Sequence, residues 1–527
     1  MYLLWNQSVT FWGLLWPLLL SVLLCLSFRA WLLKGPFHGN PTPWPLLGML
    51  PALLHNAHNV YDWSTHILIK NGGSFMFHGP WLSGMRYFVT AEPGNIQHAL
   101  RSNSHNYVKG AEFSAITYDL LGDGIVKADG HPWQVQRKLV SLQLKSGLFR
   151  QHVDSTVFDM VEKRLIPMLR QFCDEKRHVD VQDLMLRFTF DAACMMVFGL
   201  DTNCFSSELP VVPFAEAIEN AFDCCIFRFS LPPSWWRALR WLRLGRERGM
   251  QDALEVINKF CGDAISSKSR QMENEEAELF DNGQGDLLSC LLRMGGDTSH
   301  SNKLVKDLAI NMLFAGRDTV GLALSWFFWL LAKHPDVEEK VFQEAQQLIN
   351  TAKKEGRHML SRSELSSMHY LHAALTESLR LYSSVPLNIR HVVSDDTLPD
   401  GSCVKRDDKF LFSIYTAGRM ESIWGPDSMT FRPERWLNCI DGTFTHKWVS
   451  PFHYLAFSAG PRTCVGKDLA YLLMKSVAST LVYHFRVILI PGHKVVPKFS
   501  VTLYMKDGLL ATLEARDRAP TDPQAVN

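Results

Sequence analysis

The longest unbroken apolar pattern lies at the start of the chain. Residues 9–28, VTFWGLLWPLLLSVLLCLSF, carry no charge. As a helix rising about 1.5 Å per residue they reach across a bilayer core of about 30 Å. Arg29 and Lys34 follow, which predicts a body facing the cytosol. No basic residue precedes the run and no small-residue cleavage pattern ends it. The pattern therefore predicts an uncleaved single-pass anchor over residues 1–33 rather than a signal peptide. Pro36, Pro41, Pro43, Pro45 and Pro51 then interrupt any continuous helix and predict a stiff, extended lead-in.

From about residue 52 the apolar positions recur mostly at helical spacing, in long amphipathic segments. Strand-like runs are few: 86–91, 392–404 and 485–490. Residues 273–300 are acidic and Gly-rich at both ends, which predicts an exposed connection around a short apolar helix. Residues 516–527 read as a frayed tail. The expectation is a mainly α body with a small β portion, one domain over 34–515, and no internal repeat.

Composition narrows this little. The 527 residues are 47% hydrophobic, enough for a large core, and the net charge of +1 with scattered Lys and Arg gives no nucleic-acid footprint. Eleven cysteines form no C-x-x-C pair, which argues against a disulfide framework or a zinc site and fits a reducing compartment.

The chemistry concentrates in FSAGPRTCVG, residues 457–466. Gly460 and Gly466 let backbone approach a flat, bulky group. Arg462 offers a fixed cation for a carboxylate. Phe457 can pack beside the sulfur of Cys464, and a helix pattern follows whose N-terminus favours a thiolate. The alternative, an ordinary buried cysteine on a Gly-rich turn, does not call for five such residues in ten positions. The set suits a thiolate ligand to haem iron with Arg462 on a propionate.

With F-x-x-G-x-R-x-C-x-G matched at Phe457, Gly460, Arg462, Cys464 and Gly466, the chain resembles the cytochrome P450 superfamily from the anchor to about residue 513. The resemblance implies that fold, haem b with Cys464 as its axial ligand, and a monooxygenase domain over 34–515. It implies an NADPH–cytochrome P450 reductase partner and a single-pass location in the endoplasmic reticulum membrane with a cytosolic body. It implies that Glu377 and Arg380 of LTESLR join Arg435 of FRPERW in an ion cluster under the haem that locks the cysteine loop. In LFAGRDTV, residues 313–320, Asn311, Ala315 and Thr319 share a helix face. A buried helix whose Gly316 admits a close neighbour explains this stretch on its own. The resemblance instead implies a distal helix that opens locally at Gly316, with Thr319 beside dioxygen and Asp318 relaying protons. Val320 replaces the small hydroxyl residue usual there. Trp133 and Arg137, one turn apart, and His391 are implied to reach the propionates.

Within the superfamily, LGDGI (121–125), IYTAGRMESIWG (414–425) and the cysteine segment resemble the plant fatty-acid and alkane hydroxylase clan. GPWLSG (79–84) is instead similar to a sister group of in-chain alkane hydroxylases and phenol-coupling alkaloid enzymes. The implied reaction inserts one atom of O2 into a long aliphatic, lipid-like substrate, with ω-hydroxylation of a fatty acid foremost. In-chain alkane hydroxylation and oxidation of a phenolic alkaloid precursor stay open, as does a haem protein that no longer activates oxygen. Ala315, Gly316 and Val320, with Val385, Pro386 and Leu387 and the 500–506 turn, are the candidate pocket walls. Lys138, Lys145 and Arg150 are candidates to meet the reductase. Residues 221–244, rich in Trp, Phe and Arg, read either as a membrane-interface surface or as an amphipathic segment packed on the body.

Overall fold

The computed structural model describes residues 43–516 apart from 82, 277–284, 296–298, 358 and 441–442, together with 19, 21–23, 25 and 41. The expected anchor over 1–33 and the tail over 516–527 fall almost wholly outside the described residues. Among the described residues no helix is long and apolar enough to cross a membrane.

Nine helices build the site: α1 (Gly110–Leu121), α2 (Gly130–Lys145), α3 (Val181–Phe198), α4 (Pro213–Phe229), α5 (Pro233–Trp241), α6 (Arg246–Glu276), α7 (Ser299–Lys333), α8 (His369–Leu381) and α9 (Lys467–His484). The long α7 is apolar on every side over its second half. Leu322, Leu324, Trp326, Phe327 and Phe328 are all buried, as a helix through the centre of a core requires. Helix α3 lies against it. Asp180 caps the start of α3 by accepting from the Gln182 and Asp183 amides. A Cβ on Gly321 would sit 2.8 Å from the Thr189 hydroxyl and 3.1 Å from the Leu186 side chain. Gly321, rather than Gly316, is therefore what lets these helices approach.

The strands of the two larger sheets are β1 (Ser74–His78), β2 (Arg86–Thr90), β3 (Tyr107–Val108), β4 (Val179–Asp180), β5 (Leu387–Val392), β6 (Lys409–Ser413), β7 (Phe485–Leu489) and β8 (Leu510–Ala515). Five of them form a sheet in the order β1-β2-β6-β5-β3, parallel between β2 and β6 and otherwise antiparallel. Three form a second sheet in the order β7-β8-β4. The runs at 86–91 and 485–490 are strands as expected. The run at 392–404 is the end of β5 and a two-residue hairpin, Asp396–Thr397 with Cys403–Val404. Strand β6, KFLFS, carries no alternation because both its faces are covered. Pro51 opens a short helix, Leu50–His55, at its first turn, where a missing N–H costs nothing. In the 273–300 connection a helix does form, Leu287–Gly295, with Leu287, Leu288 and Leu291 buried.

Candidate functional site

The cysteine loop is shaped by one close approach. Gly460 has φ +70°, and a Cβ there would fall 2.1 Å from the Leu100 carbonyl oxygen, so only glycine fits. The Cys464 amide donates to the Phe457 carbonyl at 2.8 Å, and the Thr463 hydroxyl to the Gly460 carbonyl at 2.7 Å. Helix α9 starts directly after Gly466. Cys464 keeps exposed surface, yet burial is the largest influence on its thiol and raises its pKa. The Gly466 amide and the Arg137 and Lys467 charges pull the other way. Burial outweighs these influences on the free thiol; the thiolate expected from the sequence is that of a metal ligand. Exposed surface on an enclosed sulfur means that it opens into a hollow.

The loop rests on α8 and α9. The Phe457 ring lies 5.3 Å from that of Tyr471, whose hydroxyl is 2.8 Å from the Thr376 hydroxyl. Below, Glu377 accepts from Arg380 Nε at 2.7 Å, from Arg435 Nε at 3.3 Å and from Trp436 Nε1 at 2.8 Å. Arg380 also donates to the Ser428 carbonyl at 2.6 Å and to the Gly418 carbonyl. Glu377 and Arg380 have no exposed side-chain surface, and Arg435 closes the expected trio.

Ala315 is exposed, and Gly316 and Thr319 are partly so, in the middle of the otherwise buried α7. A second hollow surface thus lies inside the core. The helix is continuous through Gly316, and the Thr319 hydroxyl donates to the Ala315 carbonyl at 2.6 Å, so the expected local opening is not present. A Cβ on Gly316 would meet only Ala193, at 3.5 Å. Asn311 does not reach the hollow: it donates to the Leu121 carbonyl at 2.9 Å and accepts from the Val126 amide at 3.2 Å, fixing the LGDGI loop. Val320 is packed in the core rather than on the open stripe. Asp318 is buried and accepts from Arg317 NH1 and from the Tyr504 hydroxyl, both at 2.8 Å. Ser384 donates to the Thr319 carbonyl at 2.6 Å, and the Leu503 amide to the Ser384 carbonyl at 2.9 Å. These bonds bring the 383–391 segment and the 500–506 turn to α7. Val385 and Leu387 are partly exposed, while Pro386 is buried with its carbonyl taken by the Ile414 and Tyr415 amides.

Trp133, Arg137 and Arg462 do come together. The Trp133 ring has the Arg462 guanidinium 4.6 Å from its centre and that of Arg137 at 5.8 Å. Arg462 donates to Asp129 and to the Ala128 carbonyl, each at 2.6 Å. Asp129 also accepts from the Lys109 and Gly110 amides. His391 lies against Gly110, its Nε2 3.4 Å from Asp407 and its buried Nδ1 without a partner. Asp129, Lys109 and Arg390 escaped sequence reading. Lys109 and Arg390, both buried, share the Asn388 side-chain oxygen at 3.2 and 2.7 Å. Burial, with Arg390 and Arg462 adding to it, drives the Lys109 pKa well down, and burial with Arg462 lowers that of Arg390 to about 9. Among the described residues, Asp129 is the carboxylate that opposes the three cations Lys109, Arg390 and Arg462. Such an excess of buried positive charge suits a group carrying two carboxylates. Together with an open cysteine, an open stripe on the core helix and an unpartnered His391 nitrogen, it fits haem.

Residues 39–511 match the cytochrome P450 family. The chain is 39% identical to cytochrome P450 86B1 of Arabidopsis thaliana, over 96% of this chain and 90% of that protein. It is 36% identical to the alkane hydroxylase MAH1 of the same plant, over 93% and 97%. It is 34% identical to noroxomaritidine synthase 2 of Narcissus aff. pseudonarcissus MK-2014, over 95% and 97%. The chain therefore belongs to the cytochrome P450 family, in the plant fatty-acid and alkane hydroxylase clan, and is a haem-iron monooxygenase that draws electrons from a redox partner.

Proposed function

We propose that the enzyme hydroxylates a long aliphatic chain at or near its methyl end, a fatty acid foremost, using haem b held by Cys464. The observation that carries this reading is the open stripe of Ala315, Gly316 and Thr319 inside the core, bounded by small side chains, with Val385 and Leu387 on the segment tied to it. A primary C–H bond is stronger than an in-chain one, so the protein has to admit the chain end-on and present only its tip. The similarity to an alkane hydroxylase supports the substrate class.

The haem supplies oxygen activation and the oxidising power to break a C–H bond. The chain's own residues do the rest. Cys464 is the sulfur donor. Arg462, Arg137, Trp133 and His391 hold the carboxylate edge together with Lys109 and Arg390. Glu377, Arg380 and Arg435 fix the loop from below. Thr319 holds a proton donor at the open face, and Asp318 feeds it. Ala315, Gly316, Val385 and Leu387 form the channel wall, backed by Val320 and Pro386.

The partner we assign is NADPH–cytochrome P450 reductase. Lys145 and Arg150 line a crevice of about 560 Å³ together with Val465, Lys467 and His372 beside the cysteine loop, and exposed Lys138 lies on the same helix as Lys145. An endoplasmic reticulum location with residues 1–33 as anchor, 34–515 as the catalytic domain and 516–527 as a tail completes the reading. The 221–244 segment divides accordingly. Phe222, Cys224, Cys225 and Arg228 are packed inside, while Trp235, Trp241, Leu242 and Leu244 are exposed beside several arginines, as a surface meeting lipid would be.

The test is a panel of fatty acids, alkanes and phenolic alkaloid precursors turned over with reductase and NADPH, with products read by mass spectrometry. Terminal hydroxylation of one chain-length class is the expected result. Conversion of a phenol alone would overturn it in favour of the specialised-metabolite reading.

A further inference from the structure

We propose that a crevice between α3, α4 and α7 is the proton inlet of the distal helix, with Glu219 as its outer carboxylate and Tyr504 and Arg317 positioning the inner one, Asp318. The inference rests on the proposed role of Asp318 and Thr319. The crevice measures about 180 Å³ and is lined by Asp183, Arg187, Phe190, Glu216, Glu219 and Arg317 among others. At about 30 Å³ per water it has room for several. Its two ends differ in character. Glu219 is 42% exposed, so it exchanges protons with solvent, while Arg317 is 3% and Asp318 1% exposed. Arg317 bridges them, its NH2 4.0 Å from Glu219 and its NH1 2.8 Å from Asp318. Its Nε is buried without a partner, an opening for water in an otherwise satisfied cluster.

The two positioning residues have distinct tasks. Arg317 is a fixed cation that never gives up its proton and holds one oxygen of the inner carboxylate in place. Tyr504 holds the second Asp318 oxygen, and burial pushes its own pKa well up, so it stays protonated and keeps donating that bond. Burial also raises the pKa of Glu219, which makes a protonated outer carboxyl easier to reach near neutral pH. In the step itself Glu219 gives its proton to crevice water, which passes one to the Asp318 carboxylate. Glu219 then regains a proton from solvent, so the cycle moves one proton inward and no electrons. Asp318 stands next to Thr319 on α7, so a proton held there is one residue from the open face.

The test uses the purified holoenzyme with its reductase and NADPH, measuring hydrogen peroxide released per NADPH in water and in heavy water, with Thr319→Ala as reference. These readouts need no identified substrate. Tyr504→Phe and Glu219→Gln are each expected to raise the solvent isotope effect on NADPH oxidation and to increase peroxide per NADPH several-fold, within the ~10²-fold or larger effects typical of general acid catalysis. Glu219→Asp is expected to restore much of the wild-type value. Glu219 is partly exposed, so its variants report even where Tyr504→Phe folds poorly. If Thr319→Ala raises peroxide while both other variants match wild type, the inlet is overturned and the distal-helix reading stands. If Thr319→Ala is itself silent, the distal-helix reading fails and the inlet with it.

Discussion

Cys464 owes its position to a close approach four residues before it, where only a glycine at 460 can meet the Leu100 carbonyl oxygen. Its neighbours form a motif because a tight loop solves the geometry locally, and a local solution is legible in sequence. Replacing Cys464 by Ser is expected to abolish the red-shifted absorption of the reduced CO complex along with turnover; a retained band would remove the ligand assignment. Glu377 is a different case, since five donors converge on it from two segments. Glu377→Gln leaves Arg380 and Arg435 buried beside a neutral partner, and denaturant unfolding should show a loss of about 3–5 kcal/mol. His372 makes the fold acid-sensitive. Burial, then the charge of Lys475 and the rings of His446 and His369, hold its pKa down to about 2. Unfolded, it takes a proton near pH 6.5, so the unfolded state binds more protons and stability falls as pH drops through that value. Between pH 7.5 and 5.5 this group should cost about 1 kcal/mol, and His372→Phe should flatten that part of the unfolding profile. Asp129, Lys109 and Arg390 had no signature, because each acts through partners brought close only by folding, as Arg462 and Asp129 are across 333 positions.

Helix α7 shows how far an element can be read and where the reading slips. Its apolar continuity and its Asp–Thr pair are plain in the sequence. Which of its glycines serves packing is not, since that depends on where α3 crosses. The structure assigns the close approach to Gly321 and leaves room at Gly316. Gly321→Ala should therefore destabilise by about 1–3 kcal/mol through overpacking. Gly316→Ala should hold stability or raise it by up to about 1 kcal/mol from helix propensity, so that any lost turnover reports on the hollow. Equal losses of stability in the two variants would contradict this assignment. The sheets were the less legible part. Strands β3 and β4 are two residues long, and β6 pairs in parallel with β2 across more than 300 residues. Neither short length nor distant pairing leaves a periodic trace.

At the scale of the molecule two surfaces bear on the proposed partners. One carries Trp235, Trp241, Leu242 and Leu244 around α5, where Trp236 turns inward beneath Arg228 at 4.8 Å and anchors the helix while its neighbours stay exposed. The other is the basic crevice of Lys145, Arg150, Arg362, Lys467 and Lys475, against which Asp468 is the one acidic lining residue among the described residues. It backs onto Val465 and onto Tyr471, whose ring supports Phe457 of the cysteine loop. A partner docked there is separated from the proposed iron ligand by little more than the loop itself, a short path for an electron. Attraction between such a surface and an acidic partner acts mainly on association and weakens as salt screens it over about 10 Å at 0.1 M. Reversing the exposed charges at Lys138, Lys145 and Arg150 to Glu should lower reductase-supported turnover on the order of tenfold at low salt and flatten its ionic-strength dependence. Dithionite-reduced CO binding, which needs no partner, should keep its wild-type amplitude. If both turnover and salt dependence persist in the triple variant, electrons enter elsewhere and these three charges are ordinary solvated ones.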